Sequence, residues 1–146
     1  MQEVNSKVHS CDKIDFDAFD NSEFLNMVTK ESLRLFNPFI VASPRKLYKN
    51  IKLGEYNLKK GLNISCPILS IHRNEKFHKD CMEFKTDRHT PENARKQIRM
   101  TNVPFFTGKR NCIGQYMGEM MVKVMISSLV RHFEWKRDPD YSPRMI

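Results

Sequence analysis

One cysteine, Cys112, sits inside the run Phe105-Phe106-Thr107-Gly108-Lys109-Arg110-Asn111-Cys112-Ile113-Gly114, framed by two glycines and followed at once by a methionine-rich amphipathic segment. Gly108 permits a sharp turn that residues bearing a Cβ resist, and Gly114 leaves the backbone bare where a flat group could press on it. A lone cysteine just before a helix faces free backbone N–H groups and the positive end of the helix dipole. Both favour the ionised sulfur. On these residues alone the thiol is compatible with redox sensing, nucleophilic catalysis or metal ligation, and the arrangement suits the presentation of a single thiolate to iron.

The spacing predicts a helix beginning at or just after Cys112 and running to about His132. Gln115, Glu119, Lys123, Ser127 and Arg131 recur every four residues as a polar stripe, with Met117, Met120, Met121, Val124 and Met125 on the opposite face. A methionine face of this kind is more often ordinary core than a cofactor box. An earlier helix is predicted from about Ser22 to Phe36, where Asp20 and Glu23 resemble a capping box and Pro38 forbids continuation. Phe24, Val28 and Leu35 share one face of it, and Glu31 falls within that face. A buried carboxylate requires a partner, and Arg34 can supply one with donors left for a second contact. The alternative is an exposed i,i+3 pair worth roughly a few tenths of a kcal/mol.

Between the helices the pattern turns β-prone: Phe39-Ile40-Val41, Leu47 to Leu53 and Asn63 to Ile71 read as short strands, with hairpins at the Gly54 and Gly61 punctuation. Residues 74–102 are polar and aperiodic, predicting an irregular coil with one short helical turn; a loop of that length is usually functional or disordered. Residues 1 to about 20 read as a frayed lead-in. The fold class expected is α+β, mainly α, in one domain over 1–146, which the resemblance given below implies is incomplete.

A chain of 146 residues with 40% hydrophobic content can bury one modest core. The formal charge of +8 would attract acidic proteins, anionic membranes or nucleic acid without choosing among them. No aromatic-basic recognition motif or zinc finger supports the last, so no nucleic acid is expected. Cys11, Cys66, Cys81 and Cys112 are scattered, with no C-x-x-C pair and no Cys/His cluster, which argues against structural zinc. The polar start, Met1 to Ile14, lacks a secretory core, and no stretch approaches bilayer-spanning length. A soluble segment with reduced cysteines is expected, and any membrane anchor would lie outside this sequence.

The helix segment Glu31-Ser32-Leu33-Arg34-Leu35-Phe36-Asn37-Pro38, the coil Phe84-Lys85-Thr86-Asp87-Arg88 and the loop Phe105 to Gly114 follow one another in that order. Together they resemble the C-terminal part of a cytochrome P-450, the haem-thiolate monooxygenase family. Its F-x-x-G-x-R-x-C-x-G loop is met by Phe105, Gly108, Arg110, Cys112 and Gly114.

The resemblance implies haem b as cofactor, with Cys112 as the axial thiolate on its iron, favouring O–O cleavage. It makes Phe105 the shield of the sulfur and gives Arg110 one haem propionate and Arg45 the other. Backbone N–H groups after Cys112 would tune the iron through hydrogen bonds to the sulfur. Glu31, Arg34 and Arg88 correspond to a buried structural network that locks the coil and does no chemistry. Phe39, Ile40, Val41, Ala42 and Ser43 correspond to a strand bordering the substrate pocket, and His72-Arg73 fits the pattern before the coil. Thr86 stands where proline is usual, His89 where an aromatic is usual, Phe106 where a small residue is frequent and Gly118 where alanine is common.

The complete fold implied would take two electrons from a flavoprotein reductase or ferredoxin and insert one atom of dioxygen into a small organic substrate. Lys109, Lys123, Arg131, Lys136 and Arg137 would be cations on or near the docking side, or simply a solvated face. A full-length eukaryotic form would be compatible with anchoring at the endoplasmic reticulum. The family's acid-threonine motif, A/G-G-x-D/E-T, does not occur in this sequence, and the family's final β-hairpin has no counterpart before Ile146. The chain alone is therefore expected to be inactive, at most a binding module for the reductase.

Overall fold

The computed structural model describes residues 21–136 and 138–140. The expected lead-in, the cap at Asp20 and the cation Arg137 lie outside them. Helix α1 spans Glu23–Leu35, followed by strands β1 (Arg45–Lys46), β2 (Ile51–Leu53), β3 (Tyr56–Leu58) and β4 (Asn63–Ile64). Next come α2 (Ile68–His72), a 3₁₀ turn (Thr86–His89), α3 (Pro91–Lys96) and α4 (Gln115–His132). The architecture is thus mixed helix with two small antiparallel sheets. The described residues fall into two compact units, one over Met27–Gln115 and one formed by the residues up to Asn26 with those from Tyr116 onward.

Within Met27–Gln115, β2 and β3 form a tight hairpin in the register Leu53↔Tyr56. Gly54 turns it with a φ of +58°, a conformation glycine takes without steric cost. β1 pairs with β4, Arg45 opposite Ile64, and Leu47 N–H donates to the Leu62 carbonyl at 2.8 Å beside that ladder.

Three strand expectations need correction. Phe39 to Ser43 forms no strand: Pro38 and Pro44 bracket it, neither can donate to a ladder, and its ties to the 66–69 segment are isolated bonds from Ala42 N to the Cys66 carbonyl and from Leu69 N to the Ile40 carbonyl. The run expected from Leu47 forms a strand only from Ile51 onward, Leu47 itself being bonded to Leu62 and Gly61 beside the other ladder. The run from Asn63 ends at Ile64, because Pro67 breaks it and the following residues bury Ile68, Leu69 and His72 as one turn of helix. The coil of residues 74–102 holds two short helical pieces, the 3₁₀ turn and α3, where one was expected. Thr90 caps α3, its side chain accepting from Asn93 N, and Pro91 occupies the first turn.

Helix α1 matches its expected span closely, but its buried face is turned from the predicted one. Leu25, Thr29, Glu31, Arg34 and Leu35 are buried, whereas Phe24 is exposed. In α4 the predicted polarity is partly inverted: Met120, Lys123 and Ser127 are buried and Met117, Met121 and Met125 are exposed. Both faces of α4 carry apolar side chains, so alternation of residue type did not determine which face turns inward. Lys123, only 3% exposed, is not available as a docking cation. In the second unit Leu25 and Met120 form a small cluster with Val124 and Ile126 against it.

Candidate functional site

The deepest polar constellation centres on Glu31 and Arg34, both 0% exposed. Glu31 lies three residues before Arg34 on α1, so their side chains meet one turn apart. Arg34 Nε and Nη2 donate to the two carboxylate oxygens of Glu31 at 2.9 and 2.8 Å. The rest of the guanidinium reaches backbone: Nη1 donates to the carbonyls of His72 and Cys81 at 2.7 Å each, and Nη2 to that of Glu83 at 3.1 Å. All five N–H donors of Arg34 are thereby satisfied.

The coil brings three further donors to Glu31. Lys85 N–H donates at 2.9 Å, Arg88 Nε at 3.3 Å and His89 Nε2 at 2.8 Å. Burial alone would raise the Glu31 pKa, but the hydrogen bonds from His89, Arg34 and the Lys85 backbone outweigh it and hold the carboxyl far below its ordinary range. Arg88 also clamps the coil beneath it, donating to the carbonyls of Lys79 and Asp80. Glu75 accepts from Asp80 N and Cys81 N, closing the turn that presents those carbonyls.

Sequence reasoning identified Glu31, Arg34 and Arg88, which the structure brings together, and missed His89. Its signal was a polar residue where an aromatic was expected, directly after Arg88. The carbonyl acceptors had no signal at all, because any residue supplies one. His72 and His78 were also unforeseen as buried groups. His72 Nε2 accepts from Val103 N at 3.0 Å, and burial pushes its pKa down to about 4. His78 Nε2 donates to the Thr101 carbonyl at 2.9 Å, and burial lowers its pKa too.

The cysteine loop is built differently. Cys112 N–H donates to the Phe105 carbonyl at 3.0 Å, Asn111 N–H to Gly108 at 3.2 Å, and Gln115 N–H to Cys112 at 3.4 Å as α4 begins. Gly108 has a φ of +82°, the sharp turn read from the sequence. A Cβ on Gly114 would lie 4.0 Å from the Cys112 sulfur, so this glycine keeps one flank of the thiol bare. Phe105 and Cys112 are half-buried, and Arg110 is exposed. Arg45 Nη2 donates to the Arg110 carbonyl at 3.3 Å, which gathers the two arginines beside the loop.

A mainly apolar cavity of about 440 Å³ opens there, its wall including Ala42, Ser43, Arg45, Cys66, Phe106 and Thr107. Of the five residues from Phe39 to Ser43, Ala42 and Ser43 line it; Phe39 packs its ring on Phe106, and Ile40 and Val41 are exposed. Cys81 donates its thiol to the Arg73 carbonyl, and burial raises its pKa; Cys66 is exposed in coil. Among the described residues no group of three or more His, Cys, Asp or Glu side chains could hold a bare metal ion.

The family model for cytochrome P450 matches residues 1–146, the whole sequence. The chain belongs to the cytochrome P450 family. Cytochrome P450 98A1 of Sorghum bicolor is 34% identical over 137 residues, covering 92% of this chain and 27% of the relative. A cytokinin hydroxylase of Arabidopsis thaliana is 38% identical, covering 80% and 22%, and cytochrome P450 4c21 of Blattella germanica is 33% identical, covering 80% and 23%. This cytochrome P450 chain thus spans about a quarter of the length of the curated relatives it matches.

Haem b is the cofactor of cytochrome P450 proteins, and the loop fits it chemically. A porphyrin is an apolar plate edged by carboxylates around an iron that takes a soft axial ligand. A sulfur with a bare glycine flank, an apolar cavity bounded by Phe106 and Thr107 of the same loop, and two arginines beside it are the types of group such a cofactor takes. No helix among the described residues is long and apolar enough to cross a membrane.

Proposed function

We propose that Cys112 is the axial thiolate of a haem-binding monooxygenase. The observation that carries this reading is the loop itself, in which the Cys112 backbone is bonded to Phe105 across the Gly108 turn and its sulfur stands half-buried beside Gly114. When bound, haem would supply dioxygen activation, in which two electrons from a reductase and two protons send one oxygen atom into an organic substrate and the other to water. The residues of this chain do the holding. Phe105 screens the sulfur from water, Arg110 and Arg45 take the propionates, and backbone N–H groups after Cys112 stabilise negative charge on sulfur. Glu31, Arg34, Arg88 and His89 fix the coil and touch no reactant. Ala42 and Ser43 contribute one wall of the substrate space.

The reading corresponds to the C-terminal part of the family's fold, and the substrate and redox partner belong to the whole enzyme. Lys109, Arg131 and Lys136 are exposed cations available to an acidic flavoprotein or ferredoxin. The 146 residues on their own are expected to oxidise no substrate when supplied with reductase and NADPH.

The deciding measurement is the carbon monoxide difference spectrum of the reduced, haem-loaded full-length protein. The strongly red-shifted Soret band of thiolate ligation is expected, and Cys112→Ser should abolish it. Retention of the band in that variant would refute the assignment.

A further inference from the structure

The entrance to the cysteine loop, residues 103–106, is tied to the rest of its unit by side chains that none of the roles above uses. Asn37, 6% exposed, follows the end of α1 by two residues. Its Nδ2 donates to the Pro104 carbonyl at 3.1 Å, 67 positions away, while its Oδ1 accepts from Phe39 N at 2.9 Å. A carbonyl can only accept and an N–H can only donate, so a single orientation of the carboxamide satisfies both partners.

The next residues carry the second tie. Phe106 has a φ of +64°, a region side-chain-bearing residues rarely adopt, and such a conformation persists only where its surroundings enforce it. Phe106 N–H donates to Val103 at 3.0 Å, and its ring lies 6.4 Å from that of Phe39, tilted by 55°. This is a favourable aromatic geometry. Between Pro104 and Phe106 stands Phe105, whose carbonyl receives the Cys112 N–H.

We propose that Asn37 and the Phe39–Phe106 ring pair form a clasp that holds the loop entrance against the end of α1 and so positions the Cys112 backbone. Asn37 and Phe106 are positioning residues, acting through Pro104 and Phe105. Only the consequence at iron rests on the haem-thiolate reading.

Amide hydrogen exchange of this chain tests the clasp without haem. Asn37→Asp keeps the acceptor for Phe39 N but sets a carboxylate against the Pro104 carbonyl; Phe106→Ala keeps the Asn37 bonds and the Cβ at a φ of +64° and removes the ring. Each should speed exchange at the Cys112 amide by about tenfold, while amides near the end of α1, such as Leu35, keep their protection. Exchange at Cys112 equal to that of the unsubstituted chain in both variants would overturn the clasp. If Asn37→Asp also loses α1 protection, Phe106→Ala decides by the same two readings, and Phe39→Ala, which removes the other ring, decides if Phe106→Ala does so too. In the haem-loaded full-length protein, Asn37→Asp should shrink the fraction showing the thiolate Soret band. A Cys112→Ser protein that kept that band would refute the ligand assignment and leave the exchange result standing.

Discussion

Glu31 and the Cys112 loop present opposite solutions to holding a reactive or charged group. The carboxylate of Glu31 sits at 0% exposure under five N–H donors from Arg34, Lys85, Arg88 and His89. Loop residues 107–111 are exposed, and among the described residues their hydrogen bonds run between backbone groups apart from that of Arg45 to the Arg110 carbonyl, with the side-chain contacts gathered at the loop entrance. Hydrogen bonding is concentrated around the Glu31 carboxylate, whereas the Cys112 thiol stands half-buried in a loop with far fewer ties. Support and presentation are separated along the chain, and they should respond to substitution in different measurements.

The sharpest way to break that contrast is Glu31→Gln. It leaves Arg34 buried beside Arg88 without a countercharge, and the loss should be about 3–5 kcal/mol, enough to unfold residues 27–115 in a denaturant titration. A loss below 1 kcal/mol would mean that the network is not the stabilising centre described here.

Acid should strike the same region next. Above pH 6.5, the ordinary value for histidine, His72 is neutral in both folded and unfolded chains. Below it the unfolded chain binds a proton that the buried ring, with its pKa pushed down to about 4, does not accept. The unfolded state then holds more protons, so stability falls as pH drops from 6.5 towards 4, by about 3 kcal/mol through His72, and His78, lowered by burial in the same direction, adds to the fall. Glu31, depressed below its ordinary 4.5, adds to the loss only under that pH. Melting curves across this range should show the slope, and His72→Gln should flatten its upper part.

In the loop the effects shrink and change kind. Gly108→Ala meets no atom within 4 Å, so its cost is backbone strain at φ +82°, roughly 1–2 kcal/mol. Gly114→Ala has ordinary contact with the Cys112 sulfur and no positive φ, so stability should move by less than about 0.5 kcal/mol. Haem occupancy, read from the Soret absorbance of the full-length protein, should nevertheless fall. If Gly114→Ala proved the more destabilising of the two, the separation of support from presentation would fail.

What could be read from the sequence follows the same division. The spans of α1 and α4 were legible because helical periodicity and Pro38 are local signals. Glu31 was legible as a charge on an apolar face with Arg34 one turn away, Arg88 only through the family resemblance, and Cys112 as a thiol in a glycine-framed loop. The acceptors of Arg34 were not, since the carbonyls of His72, Cys81 and Glu83 carry no residue identity. Phe39 to Ser43 and the run beyond Ile64 misled because β-branched and aromatic residues suit an extended segment whether or not a partner lies alongside. The inward face of α4 was hidden for a related reason. With methionines on one side and Met120 beside Lys123 and Ser127 on the other, packing decided the orientation, and residue type did not.

The reach of Arg34 also sets an order of events in folding. Its carbonyl acceptors lie 38, 47 and 49 residues further along, and the coil partners of Glu31 lie 54, 57 and 58 residues further. Helix α1 can form from local contacts, but its two charges stay solvated until the chain through His89 has been laid down and the long loop closed. On a ribosome α1 therefore emerges well before the segment that completes its ion cluster. The buried ion cluster is a latch that cannot shut until the chain as far as His89 has been laid down.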